Sequence, residues 1–130
     1  AITFGLLGGK PYLGLSGNPA AAYVGFEMLA RPAIRKMRGF AEGTRPVQQA
    51  TLTHGVKKRE HRRFFDRATV LLDPETGELL VTEAKTQNSA LLGTMQRANC
   101  LLRVDEGPCD LKVGDVVDVV RVDLPEGAVL

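Results

Sequence analysis

Two periodicities divide the chain. Over residues 1–40 the apolar positions fall first in short strand-like runs and then at helical spacing. From Arg45 onward they alternate with a period of two. Ile2-Thr3-Phe4 and Tyr12-Leu13 read as strands separated by Gly8-Gly9-Lys10, a turn signal. Val24, Met28, Leu29 and, one turn later, Ile34 predict a helix over residues 19–38. Pro32 lies inside that helix, where it must cost stability or bend the axis, and Gly39 offers a C-terminal stop. In the alternating part, Val47–Leu52, Phe64–Leu72, 79–82, Cys100–Val104 and 116–122 read as five strands. Asp73-Pro74-Glu75-Thr76-Gly77-Glu78 is a clear turn between the second and third, and a short helical turn is expected over 89–95. Five strands joined by polar turns suggest a small, closed or partly closed barrel. The expected fold class is therefore mainly β. A small barrel over residues 45–130 follows a strand–helix piece over residues 1–42 that reads as the end of an α/β unit, with the boundary in the polar stretch 40–44. Such a piece cannot bury its own apolar face and needs a neighbour.

The turn that opens the helix carries the first candidate chemistry. Gly14-Leu15-Ser16-Gly17-Asn18-Pro19 joins a strand to a helix start. Gly14 and Gly17 are expected in conformations that a side chain would forbid. Asn18 is expected to cap the helix, and Pro19 suits its first position, where no N–H is needed. The exposed N–H groups and the helix dipole make such a start a seat for an anion, although a purely structural turn is the plainer reading.

A second candidate is Lys57-Lys58-Arg59-Glu60-His61-Arg62-Arg63, a run of high local positive potential. Net charge is only +2. Residues 31–67, however, carry eleven Lys/Arg against three Asp/Glu, and residues 68–130 five against eleven. The run reads as a solvated loop on charge alone. A nucleic-acid interface is disfavoured, because Phe64 and Phe65 fall on opposite faces of the next strand and leave little stacking platform. Thr86-Gln87-Asn88-Ser89 supplies hydroxyl and amide donors ahead of the short helix, with Ser89 as an ordinary N-cap the alternative. Asn99 is expected to hold the barrel through main-chain hydrogen bonds or to serve the site.

Several classes of chemistry find no support. No run approaches the ~20 apolar residues of a membrane span. Cys100 and Cys109, nine residues apart, match no common zinc spacing. They read as a disulfide or, in a reducing cytosol, as two free thiols with Cys100 buried. His54 and His61 read as exposed loop residues, and no nucleophile–base set or carboxylate pair is recognisable. The chain does not read as a self-contained enzyme.

The letters themselves carry a resemblance. Leu15-Ser16-Gly17-Asn18-Pro19, with Phe26-Glu27 and Arg31-Pro32, resembles the G-L-P-G-N-P segment of the molybdopterin molybdenumtransferases, the MoeA and gephyrin E-domain family. Arg62-Arg63-Phe64-Phe65-Asp66-Arg67 is similar to the family's G-R-x-x-F-x-R strand, and Gln87-Asn88-Ser89-Ala90-Leu91-Leu92 to its G-x-x-S-x-x-L segment. Arg97-Ala98-Asn99 resembles its A-x-A-N signature, and Leu111-Lys112-Val113-Gly114-Asp115-Val116-Val117 its final L-x-x-G-E-x-V.

The resemblance implies the C-terminal portion of an enzyme that inserts molybdate into adenylylated molybdopterin. Residues 1–42 would belong to its molybdopterin-binding α/β domain and 45–130 to its domain IV-like barrel. It implies substrate binding by Gly17, Asn18, Pro19, Arg62, Arg63 and Ser89, with the arginines facing a phosphate-rich pterin nucleotide. It also implies catalytic residues outside this segment, Mg2+ supplied mainly by other parts of the parent, a homodimer, and a cytoplasmic location without nucleic-acid or membrane partners. Ser16 stands where the family often has proline, and Ala21 where it often has serine, so no hydroxyl at Ala21 can reach molybdate. The runner-up reading is a non-enzymatic β-barrel module for protein interaction.

Overall fold

The computed structural model describes residues 2–87, 93–125 and 128. The chain forms two compact units, Ala1–Arg45 with Asn88–Leu92, and Pro46–Gln87 with Gly93–Leu130.

The first unit begins with a hairpin of β1 (Thr3–Leu7) and β2 (Lys10–Gly14), paired antiparallel from Thr3↔Gly14 to Leu7↔Lys10. Gly8 and Gly9 make the two-residue turn with φ of 56° and 75°. Only glycine takes such a mirror-image turn without strain, and its twist matches that of the strands. The helical pattern follows as α1 (Pro19–Gly25), a π-helical turn over Phe26–Ala30, and α2 (Arg31–Met37).

The helix expected over residues 19–38 is present in extent, and the disturbance expected at Pro32 takes the form of the π turn. Proline has no N–H to donate, and its ring clashes with the carbonyl four residues back. The wider turn ahead of it, in which the Arg31 N–H reaches the Phe26 carbonyl, places Pro32 in the first turn of α2. Gly39, with φ of 85°, ends the run. Its N–H bonds the Lys36 carbonyl at 3.0 Å and the Phe40 N–H bonds that of Arg35 at 3.1 Å, the paired closure of a Schellman motif. The Arg35 Nε donates to the Glu42 carbonyl at 2.8 Å, and its guanidinium lies over the Phe40 ring. Glu27 is buried in the π turn and chelated by Arg45, with Nε at 2.7 Å and Nη2 at 3.1 Å. Ile2, Phe4 and Leu13 from the hairpin and Leu29, Ile34 and Met37 from the helix line an apolar groove of about 490 Å3.

The second unit is a closed five-stranded barrel in the order β3-β6-β5-β7-β9. Its strands are β3 (Val47–Leu52), β5 (Phe64–Leu72), β6 (Leu79–Glu83), β7 (Cys100–Val104) and β9 (Val116–Arg121). These are the five alternating segments legible in the sequence. All pairings are antiparallel except β3 with β6, where Thr51↔Leu80 and Leu52↔Val81 run parallel and close the barrel. Alternate residues point inward. Ala50 and Leu52, Ala68 and Val70, Val81, Cys100 and Leu102, and Val117 and Val119 thus form one buried cluster.

The turn expected at 73–78 is closed by Asp73 N–H to the Glu78 carbonyl and Gly77 N–H to the Asp73 carbonyl, both at 2.8 Å. The Glu75 N–H bonding the Asp73 carboxylate holds that group below its ordinary pKa. Two short strands were not expected: β4 (Val56–Lys58) and β8 (Cys109–Leu111), paired as a separate ribbon. The first overlaps the basic run read as loop. A short helix α3 (Gly93–Arg97) precedes β7. Among the described residues, no helix is long and apolar enough to cross a membrane.

Both cysteines are free, Cys100 in the core and Cys109 half-buried. Desolvation pushes the Cys100 thiol up to about 12. The native protein is therefore expected to titrate with Ellman's reagent as one reactive thiol, Cys109, and as two only after unfolding. Fast modification of both in the folded state would contradict the buried placement.

Candidate functional site

At the helix start, Asn18 occupies the cap position in extended conformation (φ −72°, ψ 123°), but its side chain makes no capping bond. Its carbonyl accepts the first helical bond from Ala22 N–H at 2.8 Å, and its own N–H donates to the Ser16 Oγ at 3.2 Å. The Ser16 hydroxyl thus braces the turn. Pro19 is the first helical residue, as expected. Neither Gly14 nor Gly17 has positive φ, so the conformational argument for them is corrected. The linker bends at Gly17 and Asn18 without a left-handed residue, and a Cβ on Gly17 would meet nothing within 4 Å.

The basic run is not a uniformly solvated loop. Lys58 is buried, 4% exposed. Its ammonium donates to the carbonyls of Arg62 and Asp105 and lies over the Phe64 ring, which ties the β4–β5 connection to the end of β7. Alternation within β4 turns Lys57 outward and Lys58 inward. Arg62 and Arg63 remain at the surface. Arg62 pairs with Glu60 at 2.8 Å, and Arg63 faces Asp105 at 3.8 Å and Glu106 at 3.6 Å. The fold keeps these two arginines on one connection of the barrel, whereas Gly17, Asn18 and Pro19 belong to the other unit. Ser89 and the start of the predicted helical turn lie outside the described residues.

Two amide side chains, Gln87 and Asn99, bond the main chain of β5. Gln87 accepts from the Arg67 N–H at 2.8 Å and donates to the Arg67 carbonyl at 2.9 Å. Asn99 accepts from the Val70 N–H at 2.7 Å and donates to the Val70 carbonyl at 2.8 Å. Strand β5 pairs with β7 only as far as Ala68↔Cys100 and with β6 only from Ala68↔Glu83 onward. Each amide therefore bonds the main chain just where a neighbouring strand departs, the structural role weighed for Asn99 in the sequence. Between these anchors Thr69, Thr82, Ala84, Lys85, Thr86, Thr94, Arg97 and Ala98 line a cleft of about 360 Å3.

A carboxyl pair that sequence reasoning missed sits at the same end of the barrel. Asp66 shares the inward face of β5 with Ala68 and Val70, and Glu83 shares that of β6 with Val81. The two side chains hydrogen-bond each other, and burial, then Glu83, push the Asp66 carboxyl up to about 7. His54 is half-buried rather than an exposed loop residue. Its Nδ1 donates to the Gly55 carbonyl at 3.0 Å, so Nε2, accepting the Glu83 N–H at 2.8 Å, is the unprotonated nitrogen of a neutral ring. The pair is invisible to spacing rules because its members lie seventeen positions apart, joined only by the β5–β6 hairpin.

Known proteins match this chain. The family model described as the MoeA C-terminal region (domain IV) matches residues 49–122, from β3 to the end of β9. Molybdopterin molybdenumtransferase 1 of Mycobacterium tuberculosis is 35% identical over 121 residues, which cover 89% of this chain and 28% of that protein. The molybdopterin molybdenumtransferase of Staphylococcus aureus is 31% identical over 121 residues, 93% of this chain and 28% of that protein. The crystal structure of the molybdopterin biosynthesis MoeA protein from Pyrococcus horikosii shares the fold, with a TM-score of 0.70 at 24% identity over 92% of this chain and 28% of that one. This chain thus spans about 28% of the length of the curated relatives it matches. With all of the barrel but the first two residues of β3 inside the matched residues, the chain belongs to the MoeA C-terminal region (domain IV) family.

Proposed function

We propose that this chain acts as the C-terminal part of a molybdopterin molybdenumtransferase, contributing to the substrate cleft and the dimer rather than supplying full catalysis. The observation that carries the reading is the family match across the barrel, joined to relatives of that name aligned over nine-tenths of the chain. The parent reaction would insert molybdate into adenylylated molybdopterin, in the cytoplasm, by a homodimer.

The roles of this chain's residues are binding and orientation. Arg62 and Arg63 would meet the phosphates of the pterin nucleotide. Their present partners are exposed carboxylates, and exposed ion pairs are weak enough to be exchanged for a phosphate at little cost. At the turn, Gly17 would offer its N–H and Asn18 its side-chain amide to the oxyanion, with Pro19 fixing the helix start, and Ser89 would offer a hydroxyl. Among the described residues no three His, Cys, Asp or Glu side chains come together as a metal site, so they do not fit a magnesium centre.

A second reading, a protein-interaction module, is favoured by the exposed Leu71, Leu72, Val113 and Val116 of the barrel unit. A chimera separates the two. This chain would replace the matching region of the Mycobacterium tuberculosis relative, and AMP release from adenylylated molybdopterin would be followed as a function of molybdate. Restored turnover that falls at least tenfold in Arg62→Ala supports the transferase reading. A folded but inactive chimera favours the module.

A further inference from the structure

Alternation in the barrel sends Leu52, Val70, Val81 and Val117 into the core, so Thr51, Leu71, Leu80 and Val116 face out. These four stand in one row across β5, β6, β3 and β9, through the pairs Leu71↔Leu80, Thr51↔Leu80 and Thr51↔Val116. Three of them are aliphatic, where a solvated strand face ordinarily carries polar residues. Leu71 is 67% exposed and Val116 61%, with Leu80 half-buried between them. Three strand spacings make the row about 14 Å wide. Leu72, next along β5, and Val113, in the turn that leads into β9, add exposed apolar side chains at its margin. Exposed aliphatics scattered singly are ordinary, whereas a contiguous patch marks a contact surface.

The charges around the row all have one sign. Residues 71–80 and 113–116 carry Asp73, Glu75, Glu78 and Asp115 and no Lys or Arg. The Glu75 N–H holds the Asp73 carboxyl below its ordinary pKa, so that group is ionised at neutral pH. Glu75 and Glu78 are exposed in the same turn. Lys112, the cation just ahead of the β9 turn, is already paired with Asp110. This rim discriminates among occupants. A second copy docked on the same row by two-fold symmetry would set one carboxylate rim against the other. An anionic lipid surface would be repelled for the same reason. A cationic partner gains from both the row and its rim.

We propose that this row is a docking surface for a protein segment whose bulky apolar side chains are flanked by Lys or Arg. The apolar side chains lie along Leu71, Leu80 and Val116, and the cations meet Asp115 and the carboxylates of the β5–β6 turn. The proposal rests on the interaction reading above, to which it gives a partner chemistry, and it is compatible with a transferase parent.

The test is a titration of the 15N-labelled 130-residue chain, followed by amide shifts, with synthetic peptides of equal length: Leu/Lys, Leu/Glu and Ser/Lys. Saturable shifts centred on Leu71, Leu80 and Val116 are expected with the Leu/Lys peptide, at an affinity that falls as salt is added. Leu71→Ser should weaken that binding about tenfold. The double variant Glu75→Lys, Glu78→Lys should transfer the preference to the Leu/Glu peptide. Equal binding of the Leu/Glu peptide to the parent chain would leave the interaction reading standing and overturn the cationic partner. Equal binding of the Ser/Lys peptide would reduce the effect to charge and overturn the docking row. Shifts centred elsewhere, or none, would overturn the proposal together with the use of this face for interaction. Concentration-dependent self-association abolished by Leu71→Ser would overturn it in favour of a second copy. Both variants alter exposed side chains, and unchanged spectra away from the row serve as the control for folding.

Discussion

Asn99→Ala is expected to destabilise the barrel by about 2–4 kcal/mol, because each buried main-chain group left without a partner costs about 1–3 kcal/mol. The Asn99 amide makes both bonds to Val70 itself, at 2.7 and 2.8 Å, and Val70 is 3% exposed. β7 has already left β5 at that point, since its last pair is Ala68↔Cys100. The side chain is thus a one-residue substitute for a strand. Its own main chain is held too, with N–H to Ala68 at 3.2 Å and carbonyl from Val122 at 3.1 Å, so truncation leaves the gap open rather than letting β7 slide in. Asn99→Asp keeps the acceptor for the Val70 N–H but loses the donor to its carbonyl, and should lose about half as much. Urea unfolding at constant m value measures both. A loss below ~0.5 kcal/mol in the alanine variant would mean that water replaces the amide, and that the anchoring role is wrong.

The five barrel strands were legible because each is long enough, five to nine residues, for inward and outward positions to alternate more than once. β4 and β8 were not, since three residues show at most one alternation and those of β4 are Val-Lys-Lys. Composition makes that segment look solvated. Only the tertiary structure reveals that Lys58 finds two carbonyls inside, Arg62 from its own connection and Asp105 from forty-seven positions away. The helix was legible in extent but not in kind, because a proline announces a disturbance without saying whether the chain will kink or widen a turn.

Less of the candidate site could be read. Local motifs located the turn at Gly17-Asn18-Pro19 and the arginines at 62 and 63, and resemblance supplied their roles. The features that organise the other end of the barrel, the Gln87 and Asn99 anchors and the Asp66–Glu83 pair, are long-range contacts with no local pattern. His54 illustrates the same point. Nothing beside it in sequence foretells that its ring will accept a hydrogen bond from Glu83, twenty-nine positions on. Sequence spacing reports on neighbours along one element, whereas barrel closure makes neighbours of residues on different ones.

The Asp66–Glu83 pair should make the stability of the barrel fall as pH rises through neutrality. In the folded chain burial and the adjacent Glu83 push the Asp66 carboxyl up to about 7, whereas an unfolded aspartate titrates near 3.8. Between those values the native state holds a proton that the unfolded state has released. Its stabilisation is fully present below pH ~4 and is lost as pH rises through ~7. Arg67 and Lys58 oppose the shift without removing it, and His54 faces Glu83 with a neutral acceptor nitrogen rather than a cation. With the pair's partial exposure discounted, the swing is on the order of 2 kcal/mol. Asp66→Asn supplies a permanent donor to Glu83 in place of the titrating proton. It is expected to leave stability near pH 5 almost unchanged, to raise it at pH 8, and to flatten the profile between them. Urea midpoints of the parent and variant chains at both pH values decide the matter. Parallel profiles would show that Asp66 is ionised throughout and that the two carboxyls share no proton. A steeper fall in the variant would place the responsible proton on another group of the barrel end, with His54 and Glu83 the first to replace.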